Sequence, residues 1–219
     1  MNAWKEFEFM HRAFKIVDLF AGPGGLAEGF SAVRDHEGRR VFEVALSVEK
    51  EISAFSTLRL RAFTRQFDEL PDSYYDYVAG RIGRDELEKA HPAQWQAAVH
   101  ETAMLELGTP EAQAFLDPLL DKLRDQTSRE TILIGGPPCQ AYSLVGRARN
   151  RGVVGYDPTE DHRHFLYKEY IRILRRLEPV AFVMENVKGM LSSKVAGVRI
   201  VDQIVEDLRS ALGFEDSYH

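Results

Sequence analysis

Short continuous apolar runs alternate along this chain with longer stretches whose apolar residues recur every three or four positions. KIVDLF (15–20), VFEVALSVE (41–49), TILIGG (131–136) and PVAFVMEN (179–186) are the short runs, and they predict strands. Helical periodicity fills the spaces between them. Leu26 to Val33 continue as a helix after a glycine turn, and residues 50–66 read as a helix carrying many arginines. Within DPTEDHRHFLYKEYIRILRRLE, Leu166, Tyr170, Ile173, Leu174 and Leu177 fall on one helical stripe. Ile200, Val201, Ile204, Val205, Leu208 and Leu212 predict a last helix, closed by Gly213.

From about residue 67 to 129 the texture changes. HPAQWQAAVHETAMLELG and TPEAQAFLDPLLDKLRD predict two helices separated by Gly108, the second opened by Thr109 as N-cap and Pro110 at its first position. Phe115, Leu116, Leu119, Leu120 and Leu123 are expected on one face of that second helix. The block reads as a helical insertion at about 67–129.

Strands alternating with helices predict an α/β domain, a Rossmann-like and mostly parallel sheet with helices on both faces. Ligands of such sheets bind beyond the carboxyl ends of the strands. The loops after Phe20, Gly135 and Met184 all lie at that edge.

Composition narrows the class. Of 219 residues, 44% are hydrophobic and 28% charged, which fits a globular domain, and the runs are too short to span a bilayer. The N-terminus has scattered charges and no apolar core of a signal peptide, so the expected setting is intracellular, with no membrane partner. A net charge of −6 argues against a self-sufficient nucleic-acid binder, whose binding face is strongly basic. No Cys/His/carboxylate cluster with ligand spacing is visible, so no metal is expected.

The chemistry sits in the three loops. Gly22-Pro23-Gly24-Gly25-Leu26-Ala27 lets backbone approach a ligand closely, and Glu49 ends the second strand as an acceptor for ribose hydroxyls. This pair points to an adenosine-containing cofactor without choosing NAD from S-adenosylmethionine; a tight turn beside an exposed carboxylate is the plainer alternative. The chain's single cysteine, Cys139, lies in PPCQ after the third strand, and ENV follows the fourth. A lone cysteine is ordinarily a small buried apolar residue. A thiol and a carboxylate in one pocket, however, are what methylation of cytosine C5 requires: a thiolate that adds to C6 and later leaves, and a carboxyl group that holds N3 and the exocyclic amine.

DLFAGPGG, GGPPCQAYS and MENVKGM, in that order, resemble the cofactor loop, the nucleophile motif and the ENV motif of the cytosine-C5 DNA methyltransferases, over roughly 15–50 and 131–212. The resemblance implies an S-adenosylmethionine-dependent methyltransferase fold acting on double-stranded DNA, in the setting of restriction–modification. It implies Cys139 as the nucleophile, Glu185 as the group that binds and activates cytosine, Asn186 as a loop-structuring residue and Pro138 against the target base. Phe20, Ala21, Gly22, Gly24 and Gly25 would line the cofactor, Glu49 would hold its ribose and Leu166 would pack on it. Arg147, Arg149 and Arg151 would contact DNA phosphates as their loop closes over an extruded base. The family's acidic adenine motif is not recognisable between the second and third strands. Its target-recognition domain and later motifs are expected beyond residue 219, on the same chain or on a complementing C-terminal subunit, so that residues 1–219 form a partial catalytic domain, inactive alone. Alternatives are a tRNA cytosine-5 methyltransferase of the same family and a non-catalytic cofactor-binding module that regulates a partner.

Overall fold

The computed structural model describes residues 13–127, 130–138, 166–186, 194–195, 198–213 and 218. Five strands, β1 (Phe14–Leu19), β2 (Phe42–Glu49), β3 (Thr102–Met104), β4 (Thr131–Gly135) and β5 (Ala181–Met184), form one sheet in the order β3-β2-β1-β4-β5. Every pairing in it is parallel. The fold is therefore α/β and Rossmann-like, as the alternation of elements predicts. A two-residue antiparallel pair, β6 (Lys194–Val195) with β7 (Val198–Arg199), stands apart from it. The helices are α1 (Gly25–Ser31), α2 (Ile52–Thr64), α3 (Asp72–Val78), α4 (Arg84–Ala90), α5 (Pro92–Glu101), α6 (Pro110–Thr127), α7 (Leu166–Leu177) and α8 (Ile200–Arg209).

The chain runs outward from β1 through β2 to β3, then returns past β1 to lay down β4 and β5. The order thus reverses between β1 and β4, and the crevice beyond their carboxyl ends is where ligands of open α/β sheets bind. β4 comes so close to β1 there that a Cβ on Gly135 would stand 2.3 Å from the Leu19 carbonyl oxygen.

Alternation along the strands sends Val17, Leu19, Leu46, Val48 and Leu133 to one face, where Leu116 and Leu120 of α6 and Ile173, Leu174 and Leu177 of α7 cover them. Each such side chain is worth roughly 1.5–3 kcal/mol when fully buried. The Tyr170 hydroxyl, buried on α7, lies 3.1 Å from the Leu133 carbonyl and 3.2 Å from that of Val183, tying the helix to β4 and β5 together. Ionic contacts lace the outer sides of α6 and α7: Asp117 accepts from Arg172 and Arg176, both at 2.8 Å, and Asp121 from Arg176 at 2.5 Å.

Three expectations are corrected. The helix expected over 91–108 ends at Glu101, and Thr102–Met104 join the main sheet beside β2, so the block at 67–129 is not wholly helical. Pairing with Ser47, Val48 and Glu49, and burial of Thr102 and Ala103, override the helical periodicity. On α6 the buried stripe is Ala112, Leu116 and Leu120, four residues apart, while Phe115 and Leu119 are exposed. The phase of that helix is set by a small residue that allows close approach, not by its bulkiest ones. Val205, expected on the inner stripe of α8, is also exposed.

The opposite face of the sheet is less apolar. Asp18, Ser47 and Thr102 are in register across β1, β2 and β3, point to the same side and are buried. Neither Asp18 carboxylate oxygen makes a well-formed hydrogen bond, and neither does Ser47 Oγ. Burial raises the Asp18 pKa from 3.8 to about 7, with the Arg65 charge opposing and the Glu49 charge adding.

Two predictions follow from the packing of β1. A carboxyl whose folded pKa is raised contributes stability in full below pH 4 and loses it as pH rises through 7. Asp18→Asn should therefore match the parent near pH 4, gain over it between pH 4 and 7, and hold a constant advantage above. The ceiling is about 1.4 kcal/mol per pKa unit, read by urea unfolding across pH; an advantage independent of pH would mean that the Asp18 pKa is the same folded and unfolded. Gly135→Ala should destabilise by about 2–4 kcal/mol, because the new methyl meets backbone that cannot swing aside. Unchanged thermal unfolding of that variant would contradict the close approach.

Candidate functional site

β1 ends at Leu19, between β2 and β4, and the chain there turns out of the sheet. It does so through Phe20 at φ 55° and Gly22 at φ 55°, with Gly24 at φ 89° just before α1. Left-handed backbone at Phe20, which lacks glycine's freedom, costs about 1–2 kcal/mol. Such strain collects at ligand sites, where the surroundings over-determine the backbone. Here Ala21 N–H donates to the Val48 carbonyl at 3.0 Å and Gly24 N–H to the Ala21 carbonyl at 2.9 Å. A Cβ on Gly24 would lie 2.8 Å from Cδ1 of Leu58, so the loop is seated on α2.

Glu49, the last residue of β2, faces this loop. Its Oε2 accepts Gly22 N–H at 2.8 Å, and its Oε1 accepts the amides of Lys50 at 2.9 Å and Glu51 at 2.7 Å. The expected pairing of glycine loop and carboxylate is thus a direct contact.

Phe20, Glu49, Pro138 and Leu166 line one cavity of about 200 Å³. Val48, Lys50, Leu105, Glu106, Leu107 and Gly136 complete its wall. Apolar surfaces from Phe20, Leu105, Leu107 and Leu166 form a slot with Glu49 and Glu106 at its rim, and Lys50 pairs with Glu106 at 2.9 Å. Leu105, Glu106 and Leu107 are absent from the sequence reading, because they owe their place to β3. The signal that finds them is positional: they follow a strand end at the same edge of the sheet. Leu166 opens α7 and packs over Gly108, at 3.7 Å from where a Cβ would be. A larger cleft of about 670 Å³, bordered by Gly108, Thr109 and Arg172, continues from the same Lys50, Glu106 and Leu166.

The third loop closes the set. Glu185 N–H donates to the Gly135 carbonyl at 2.9 Å, which carries the β4–β5 ladder one residue beyond the strands. Its carboxylate then folds over Gly136, with Oε2 2.9 Å from the position of a Cβ there. A side chain at Gly136 would push this carboxylate aside. Glu185 is exposed and Asn186, next to it, half-buried. Gly25 begins α1, and Ala21, Gly22, Gly24 and Gly25, expected to line the cofactor, are not among the residues that line this cavity. Cys139, Arg147, Arg149 and Arg151 lie outside the described residues, so the placement of the thiol and of the arginines is not part of this geometry. Among the described residues no helix is long and apolar enough to cross a membrane.

The family model described as C-5 cytosine-specific DNA methylase matches residues 120–219. The type II methyltransferase M.Bpa9945I of Bacillus paralicheniformis is 35% identical over 198 residues, covering 82% of this chain and 42% of that protein. M.AquIA of Picosynechococcus is 31% identical over 178 residues, 81% of this chain and 50% of its own length. M.DdeI of Desulfomicrobium norvegicum is 35% identical over 200 residues, 91% and 34% respectively. The chain therefore spans between a third and a half of the length of these relatives. Its parallel sheet, glycine loop and ENV strand end, joined to this likeness, make it a member of the C-5 cytosine-specific DNA methylase family.

Proposed function

We propose that this chain carries the cofactor-binding and cytosine-activating part of a DNA cytosine-5 methyltransferase that uses S-adenosylmethionine. The observation that supports it is convergence: the glycine loop with Glu49, the Gly136–Pro138 loop and Glu185 meet at the β1/β4 crevice from far-apart stretches of chain. The cavity suits an adenosine group. Its apolar walls accept a flat ring, and Glu49 and Glu106 accept hydrogen bonds from ribose hydroxyls and from an exocyclic amine. Glu106 then fills the role of the acidic adenine contact that the sequence leaves unassigned.

S-adenosylmethionine, when bound, supplies an electrophilic methyl group. The rest of the chemistry falls to the chain. Cys139, as thiolate, would add to C6 of an extruded cytosine and make C5 nucleophilic, then leave as the C5 proton is lost. Glu185, held over Gly136, would bind N3 and the exocyclic amine and offset charge developing on the ring. Pro138 would pack against the base, and Arg147, Arg149 and Arg151 would hold phosphates. Base extrusion costs a few kcal/mol, which DNA contacts must offset, and a net charge of −6 offers little for that. The reading therefore includes a requirement for the target-recognition half found in full-length methyltransferases, on the same polypeptide or on a partner subunit.

Calorimetric titration should find S-adenosylmethionine bound by residues 1–219, and Glu49→Ala should weaken it by about tenfold or more, the loss of a hydrogen bond to a charged group. Tritiated-methyl incorporation into mixed-sequence DNA should be undetectable with residues 1–219 alone and appear when the recognition half is supplied. Cys139→Ser should abolish it while cofactor affinity stays within a factor of about two. Undiminished methylation by that variant would overturn the nucleophile assignment, and failure of the parent to bind S-adenosylmethionine would overturn the cofactor.

A further inference from the structure

Arg65 caps the C-terminus of α2 and is almost fully buried, with 7% of its side chain exposed. It belongs to none of the walls of the cofactor cavity. Its two terminal nitrogens are nonetheless divided between two carboxylates on different elements: one donates to Glu28 on α1, the other to Glu101, the last residue of α5. Both elements lead directly to the cavity. Glu28 stands one turn after Gly24, and its N–H donates to the Gly24 carbonyl at 3.0 Å. Glu101 immediately precedes β3, whose carboxyl end delivers Leu105, Glu106 and Leu107.

The neighbours on α2 divide in the same way. Toward the glycine loop, Leu58 lies under Gly24, and Arg61 donates to the Pro23 carbonyl at 3.1 Å. Toward β3, Arg59 bonds the Thr102 hydroxyl and donates to the Thr102 carbonyl at 3.2 Å. Other charges face Arg65 as well: Asp18 of β1 is close enough for its ionisation to feel the guanidinium, and Arg40 donates to the Arg65 carbonyl at 2.7 Å. A planar guanidinium holds two acceptors in fixed directions at once, which a lysine ammonium on its flexible stem does not.

We propose that Arg65 is a positioning residue for the cofactor pocket, one buried cation that fixes the glycine loop and the carboxyl end of β3 relative to each other through Glu28 and Glu101. The proposal rests on the cofactor reading above for its binding consequence, while its structural consequence is independent of ligand identity. Three amides report the two walls: Gly22 N–H on Glu49 Oε2, Gly24 N–H on the Ala21 carbonyl, and Leu105 N–H on the Glu49 carbonyl.

The test compares Arg65→Lys, Glu28→Gln and Glu101→Gln in residues 1–219 by amide hydrogen exchange and by S-adenosylmethionine titration, well below the melting temperature. Arg65→Lys should speed exchange at Gly22, Gly24 and Leu105 together and weaken cofactor binding about fivefold or more, a magnitude usual for coupled sites. Glu28→Gln should loosen Gly22 and Gly24 first, and Glu101→Gln should loosen Leu105 first. These two variants keep an acceptor facing Arg65 and carry the test if the lysine variant does not fold. A shift in melting temperature with unchanged exchange at all three amides would reduce Arg65 to a fold-stabilising residue and overturn the proposal. Altered exchange in the variants, with a parent that binds no S-adenosylmethionine, would instead overturn the cofactor reading and leave the positioning role standing.

Discussion

The constraint on which this molecule depends is the occupation of both edges of β1. β1 is hydrogen-bonded to β2 on one side and to β4 on the other, the two strands whose ends flank its own. Phe20 turns the chain out of the sheet in a left-handed conformation and leads it into the glycine loop. The same pairings bring the ends of β2 and β4 alongside, so Glu49 and Gly136 flank the exit, and Glu49 then fastens the loop through the Gly22 amide. Parallel order makes this possible, since all five strands end at one edge.

The two faces of the sheet divide the labour. The side covered by α6 and α7 is an apolar core, entered by the buried Tyr170 hydroxyl. The side covered by α1, α2 and α5 carries a row of polar residues and a buried arginine between two carboxylates. Burying ions is expensive, and replacing them by apolar residues often leaves a protein as stable or more so. What a guanidinium between two carboxylates adds here is direction, because it admits few arrangements of the elements that bear them. Burial raises the Glu101 pKa while the charge and hydrogen bond of Arg65 oppose the shift.

Four of the five strands announce themselves in the sequence, because parallel strands covered on both faces read as unbroken apolar runs. The loops that follow them are legible for the same reason, and with them Glu49, Pro138, Glu185 and the glycines. β3 is hidden. It has three residues, sits at the sheet's edge and follows α5 without a break, so the helical period of 92–101 runs straight into it. Everything that depends on β3 is hidden with it, Glu106 above all. On α6 the periodicity is right but its phase is not, since Ala112 contributes to the buried stripe as much as a leucine does. Arg65 reads as one more charge on an arginine-rich helix. Only tertiary structure tells it from Arg61 four residues earlier.

Glu49 carries a consequence of its own. Three backbone amides already hold its carboxylate, two of them from the residues that follow it in the chain. Its side-chain entropy was surrendered when the domain folded, so a ligand hydroxyl arriving here finds an acceptor that need not be ordered again. The same restraint makes the acceptor selective. A carboxylate free to swing into water would tolerate a ligand lacking that hydroxyl, whereas one pinned in place is left with an unmatched lone pair against the ligand's apolar carbon. On the proposed cofactor reading, discrimination between ribose and deoxyribose at this edge would be written into backbone amides, not into the identity of the side chain alone.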